Sequence, residues 1–487
     1  MLASAVVSRN NRLLYITGGN DDCVAIWDVS SPSYEAEEPA DPERLQNDLL
    51  LSSLSKLVSY RTVSNDPSLA EDCRRGATYL KALFKRHGAT AELLPTEDGR
   101  NPVVFARFSG AGLKQPAKKK GKTIMFYGHY DVIPAEVGQG WSTDPFVLTG
   151  LNGYLYGRGV SDNKGPCLAA MFAAGELLQE GVLDSDIVFL IEGEEESGSR
   201  GFKQTVQKHK ALIGDVDWLL LANSYWLDDE TPCLTYGLRG VVHATIRVDS
   251  ERPDLHSGVE GSSLNREPTV ELVNLLARLT GGAGDVRIPG FYAPVRPVTP
   301  EEAAMYVPIA AALQNNAASP LAHMATADIT AHLMAKWRQP SLTIHRVDVS
   351  GPSNSSIIPR SASAGVSLRI VPDQEIEAIK AGLVAYLEDC YRAAGGGNRL
   401  TVAIEHEAEP WLGEWKNEAF VALERAIMAV WGAARRPLYI REGGSVPGAR
   451  FLEKEFGAPA AHLPCGQSSD KAHLDDERLR LTNLYKV

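Results

Sequence analysis

Leucines recur at helical spacing through 43–60 (ERLQNDLLLSSLSKLVSY), which predicts an amphipathic helix. A second is predicted over 71–88, stopped by Gly88. Short apolar runs at 91–94, 103–108 and 123–127 read as strands. Helix 164–181, strand 187–191, helix 199–211 and strand 218–222 continue the alternation, the signature of an α/β layer with a largely parallel sheet. Near residue 241 the pattern changes. VVHATIRVDS alternates with period two, as a half-exposed strand does. A helix over 268–280, a Pro- and Gly-rich stretch near 281–300, further helix to about residue 337, strands 341–347 and 364–370, helix 374–393 and strand 400–405 follow in an α+β order. This segment reads as an inserted domain. Helix 415–432 returns to α/β, and 484–487 ends strand-like with no closing helix, so truncation at either end is compatible with the pattern.

The first 31 residues do not fit this alternation. Residues 15–17 and 24–27 read as strands around a Gly-Gly-Asn-Asp-Asp turn, closing on Trp27-Asp28. The segment resembles the last part of one WD-repeat blade, with a stray hairpin as the bland alternative. No second copy follows, and a propeller needs several. Residues 32–42 (SPSYEAEEPAD) read as a linker, and Lys118–Lys120 as a solvated loop tip within 110–122. The expected organisation is a partial blade (1–31), a linker (32–42), a first catalytic part (43–240), a lid and dimerisation domain (241–408) and a second catalytic part (409–487).

Charge and composition narrow the function classes. With 49 basic and 61 acidic residues the chain carries −12, a poor balance for nucleic acid, which needs a concentrated basic face. Hydrophobic content of 44% against 23% charged residues fits a folded globular chain. No apolar run reaches the roughly 18 residues of a membrane span, and the N-terminus lacks the basic head of a secretory signal. Cysteines 23, 73, 167, 233, 390 and 465 form no C-x-x-C pair, which fits reduced thiols and a cytoplasmic location.

Four segments carry candidate chemistry, each expected at the end of a predicted strand. His129 and Asp131 in GHYDV can combine a metal-binding ring with a carboxylate that orients it. YGRGVSDNKG places Asp162 before a helix, where N-capping is the plain alternative. Residues 192, 194, 195 and 196 are all glutamates, and such crowding at a buried strand end calls for solvent or cations. His473 follows in DKAH. Together these supply a mixed nitrogen and oxygen ligand set that suits zinc. Loops after parallel strands gather such groups at one sheet edge.

The ordered segments GHYDV, YGRGVSDNKG, EGEEESGS and the late AH resemble the di-zinc aminoacylase and carboxypeptidase family, in its non-specific dipeptidase and carnosine dipeptidase branch. The likeness covers about 43–487 and extends to LHSG (255–258), RQPSL (338–342), IPR (358–360), LRIVP (368–372) and REGGS (441–445). A WD-type segment ahead of such a domain is similar to the fungal glutathione-degrading branch. The resemblance implies a zinc-peptidase-like α/β catalytic domain with a parallel-rich mixed sheet and an inserted α+β lid. It implies two zinc ions, with manganese as the alternative. Asp162 would bridge them, His129 would hold one, and Glu196 with His473 the other. Glu195 would be the general base and Asp131 the carboxylate behind His129. His256, reaching across a homodimer from the lid, would steady the oxyanion. Arg369 and the loop with Gly444 and Ser445 would hold the substrate carboxylate. The substrate would be a small peptide, and the partner a separate amidotransferase-like or other catalytic subunit, with no nucleic acid and no membrane.

One position departs from the family pattern. Alignment on Tyr225-Trp226 puts Asn223 where the family has a further Asp ligand for the His129 metal. A neutral amide is a weaker zinc ligand, so one site is expected to be weakened. Two readings follow: a zinc-dependent peptidase of glutathione or small-peptide breakdown, and a peptidase-fold scaffold or regulator serving another catalyst.

Overall fold

The computed structural model describes residues 3–9, 12–18, 24–28, 42–96, 99–110, 121–317, 319–432 and 436–486, with side chains from residue 46 onward. The expected linker, apart from Pro42, and the Lys118–Lys120 tip lie outside the described residues. Two compact units divide the chain, Met1–Ser52 and Ser53–Val487.

In the first unit, β1 (Ala3–Arg9), β2 (Arg12–Gly18) and β3 (Val24–Asp28) form a three-stranded antiparallel sheet. The first of these strands was not predicted. Its ASAVVSR run lacks the aromatic content that marked the other two.

The second unit holds two main sheets. The larger has nine strands: β4 (Thr90–Leu94), β5 (Val103–Phe108), β6 (Thr123–His129), β7 (Asp186–Glu192), β8 (Trp218–Leu221), β9 (Cys233–Leu238), and three that follow the smaller sheet in the chain. The smaller consists of β10 (Gly240–Asp249), β11 (Ser341–Val349), β12 (Ser361–Ile370) and β13 (Arg399–Ala408) in the antiparallel order β11-β12-β10-β13. β14 (Trp411–Leu412), β15 (Leu438–Glu442) and β16 (Ala460–His462) then complete the larger sheet, ordered β14-β9-β16-β8-β6-β7-β5-β4 with β15 on β9. Its centre, β16-β8-β6-β7, is parallel; the flanking pairs β7-β5, β5-β4, β16-β9 and β9-β14 are antiparallel, while β15 runs parallel to β9, which matches the expected mixed sheet.

Burial explains these elements. Central strands read as continuous apolar runs because both faces are covered, as in DIVFLIE of β7. In the smaller sheet Val242, Ala244, Ile246 and Val248 alternate inward against α1 (Pro268–Leu279) and α2 (Ile376–Ala393), leaving the other face open. Two expectations fail. Residues 199–211 give helices Phe202–Lys208 and Lys210–Ile213, broken at His209, whose backbone leaves the helical region. Residues 481–486 form a short helix rather than a strand-like end. Six residues are too few for a helical period to show in the sequence.

Candidate metal centre

The parallel strands deliver the candidate residues to one sheet edge. His129 is the last residue of β6, and the 195–197 turn follows β7. Asn223 follows β8, and Asp162 lies just before the helix Lys164–Gln179. The structure brings four of them into direct contact. His129 Nε2 lies 3.0 Å from Asp162 Oδ1. His473 Nε2 lies 3.1 Å from Asp162 Oδ2 and 3.0 Å from Glu196. Donor atoms of His129, Asp162 and Glu196 lie within 4.8 Å of one another. Asn223 Nδ2 stands 3.3 Å from His129 Nε2, so this side chain does face the His129 ring.

Asp131 has a broader part than expected. Its backbone carbonyl lies 3.1 Å from His129 Nδ1, with the carboxylate at 3.5 Å. The carboxylate accepts from the backbone N–H groups of Glu195 (3.2 Å) and Glu196 (3.0 Å). It therefore fixes the glutamate turn as well as the ring.

The protonation pattern has one physical cause, a surplus of buried carboxylate. Burial pushes the Glu195 carboxyl up, and Glu196, Asp162 and Glu192 nearby add to that. Burial also raises Glu196, against its hydrogen bond from His473. For Asp162 burial acts upward, but hydrogen bonds from His129 and His473 outweigh it and hold the carboxyl below its usual range. Hydrogen bonds to Asp162 and Glu196 push His473 up to about 11. The donor set is imidazole nitrogen and carboxylate oxygen, and it collects positive charge. Both features fit a divalent ion of the zinc type.

Other candidates fall elsewhere. Ser445 lines a cleft of about 930 Å³ together with Glu195, Glu196, His243, His406 and Phe451. Gly444 is exposed beside it. Arg369, on β12, lies near Arg239, His243 and His406, and burial lowers its guanidinium. His256 is not brought to the cluster within one chain. It is exposed, and its Nδ1 accepts from the Gly258 N–H at 3.2 Å.

Sequence reasoning missed Glu477. This fully buried carboxylate accepts from the N–H groups of Gly159, Ser161 and Asp162 at 3.0–3.1 Å and pairs with Arg158 at 2.8 Å. Arg158 Nη2 also donates to the Leu474 carbonyl at 3.2 Å. The pair thus ties the Asp162 loop to the His473 segment. The only hint was an arginine within a glycine-rich loop.

A mixed α/β sheet with a histidine and carboxylate cluster at its parallel edge, joined to a second antiparallel sheet with helices on one face, defines a metal-dependent hydrolase architecture. The chain belongs to peptidase family M20/M25/M40, whose model matches residues 125–487. It is 41% identical to the probable di- and tripeptidase DUG2 of Saccharomyces cerevisiae over 99% of this chain and 57% of that one. It therefore spans under two thirds of that relative's length. It is 33% identical to the Cys-Gly metallodipeptidase DUG1 of Candida albicans, over 89% of this chain and 91% of the other. The crystal structure of human carnosine dipeptidase 1 superposes with a TM-score of 0.76 at 29% identity, covering 91% of this chain and 95% of that one.

Proposed function

We propose that this chain is a zinc-dependent peptidase that hydrolyses small peptides, as a cytoplasmic subunit of a glutathione-degrading complex. The observation that carries this is the convergence of His129, Asp162, Glu196 and His473 within 3.1 Å contacts beside Glu195. The names of the DUG2 and DUG1 relatives, a di- and tripeptidase and a Cys-Gly dipeptidase, support the substrate class.

His129, Asp162, Glu196 and His473 would hold the metal, with Asp162 shared between two ions. When bound there, a divalent ion supplies positive charge that polarises a scissile carbonyl and acidifies a neighbouring water. Glu195, its carboxyl raised by burial, takes the proton of the attacking water and returns it to the leaving amine. Asp131 holds the turn that aims Glu195. Arg369 and the Gly444-Ser445 loop grip the peptide carboxylate. His256 acts from the partner of a homodimer formed through the lid, which spans 241–408 between catalytic parts 43–240 and 409–487. The antiparallel sheet at 3–28 is read as a partial WD-type blade that docks a separate catalytic subunit.

Glu195→Gln tests the reading on cysteinylglycine and glutathione. A fall in kcat of roughly 10²–10⁴ with unchanged metal content is expected. Undiminished hydrolysis removes this chain as the catalyst. Asn223 favours a second reading, a peptidase-fold scaffold for another subunit. That reading expects the purified chain to be inactive alone and hydrolysis to appear only with the partner.

A further inference from the structure

Arg239 is the single residue between β9 and β10, where the chain passes from the larger sheet to the smaller. The return connection runs alongside. A Cβ on Gly240 would lie 2.5 Å from the carbonyl of Ala408, the last residue of β13. Arg239 therefore stands at the joint between the two sheets.

From this joint its guanidinium reaches three other positions. Nε donates to the Gly443 carbonyl at 3.3 Å, and Nη1 to the Gln339 carbonyl at 3.3 Å and the Ser341 hydroxyl at 3.5 Å. Gly443 opens the loop that carries Gly444 and Ser445, and Ser341 begins β11. Ser341 pairs across from Arg369 on β12, and the other neighbour of Arg369 is Val241, two residues beyond Arg239. A Cβ on Gly443 would lie 3.0 Å from Arg239 Nη2, so the close approach uses the missing side chain. The joined segments are anchored from behind. Buried Glu302 accepts from Arg338 Nε at 3.0 Å and pairs with Arg441 Nη2 at 2.6 Å. These arginines stand one residue before Gln339 and two before Gly443.

Charge gives the joint a direction. Burial, and then the Arg369 charge, lower the Arg239 guanidinium to about 10, and burial lowers Arg369. Among the described residues no carboxylate offsets either one. Two half-buried cations side by side without a counter-charge favour an incoming anion. The planar fork of an arginine holds several oxygens in fixed directions, which a lysine ammonium does not. We infer that Arg239 is a positioning residue for the free carboxylate of the peptide: bridging the two sheets, it sets the Gly443–Ser445 loop against Arg369 so that both meet that carboxylate. The fork is spent on Gly443, Gln339 and Ser341, so Arg239 acts through the loop and through Arg369.

The substrate class is that of the peptidase reading, on which the inference rests, and the test keeps the two apart. Binding is measured by calorimetry on the full, zinc-loaded chain carrying Glu195→Gln, with hydrolysis disabled. The probes are alanylglycine and its C-terminal amide, which lack thiols that would seize zinc. With Arg239 present, the free carboxylate should bind at least about tenfold tighter than the amide. Arg239→Gln should cut that preference by about tenfold and leave the Kd of the amide within about twofold. Arg239→Lys keeps the charge and the stem without the fork, and its preference should stay within about threefold of that of Arg239→Gln. Circular dichroism and Tm of each variant report folding independently. Equal weakening of both probes, an unchanged preference in a folded Arg239→Gln variant, or the full preference in Arg239→Lys overturns the inference. So does the absence of any preference when Arg239 is present. Failure of the chain with Glu195 to hydrolyse alanylglycine removes the peptidase reading and leaves the binding comparison standing.

Discussion

Replacing Glu477 by Gln should destabilise the protein far more than an ordinary surface change. Glu477 is 0% exposed and Arg158 3% exposed, so their pairing at 2.8 Å is shielded from water. The carboxylate also accepts from the N–H groups of Gly159, Ser161 and Asp162 and from the Ser161 hydroxyl at 3.1 Å. A Gln side chain keeps one acceptor oxygen and turns an amide donor towards donors. The Arg158 guanidinium is left buried without its counter-charge. Breaking one side of such a pair costs about 3–5 kcal/mol. Urea unfolding in the presence of chelator measures this without metal contributing. The double change Arg158→Met/Glu477→Gln removes the orphaned charge and should recover part of the loss. Because Glu477 also shapes the loop carrying Asp162, metal affinity in Glu477→Gln should fall by roughly 10–100-fold. A loss of less than about 1 kcal/mol in the single variant would refute the reasoning, since it would mean that the buried pair is balanced by something else.

Two further changes test the site and the core. Asn223→Asp adds a charge beside His129 and should tighten divalent binding by roughly 10–100-fold, about 1.4–2.7 kcal/mol, read by competitive zinc titration; an unchanged affinity would show that position 223 does not serve the metal. His462 lies in β16, stacked on Trp411 with both ring nitrogens unpartnered, and burial pushes it down to about 3. Its unfolded value is near 6.5, so between these limits the unfolded chain binds the extra proton and stability falls as the pH drops. The loss should reach about 2 kcal/mol at pH 5, and His462→Leu should flatten that slope in urea titrations at two pH values.

Much of this was legible in the chain because the main elements are decided by burial. Strand β5 and the helix Pro268–Leu279 announce themselves by continuous or 3.6-period apolar positions. The cluster was legible because its residues sit in short polar runs that break the apolar pattern, His129 at a strand end and Asp162 just before a helix. What stayed hidden depends on distant partners. Glu477 reaches a loop 315–319 residues earlier, and nothing in DDER marks it as buried. The register shift at His345 in β11 is a property of pairing rather than of composition. His256 could be placed in the sequence, but a single chain leaves it exposed and apart from the cluster.

The two readings of the site separate on the His129 side alone. There the ring nitrogen has Asp162 at 3.0 Å and the neutral Asn223 at 3.3 Å. On the other side Asp162, Glu196 and His473 meet within 3.1 Å, two carboxylates and an imidazole, untouched by the residue at 223. A weakened His129 site would therefore leave the side of Glu196 and His473 with its full ligand charge. The proposed base Glu195 and the proposed ligand Glu196 stand on the same turn, and the Asp131 carboxylate accepts from both of their backbone N–H groups. On the proposed reading Asn223 would lower metal occupancy while leaving Glu195 in place. The expected metal content is one firmly held ion and one readily lost to chelator, with hydrolysis in both states abolished by Glu195→Gln. Retention of two equally tight ions would place the weakness elsewhere.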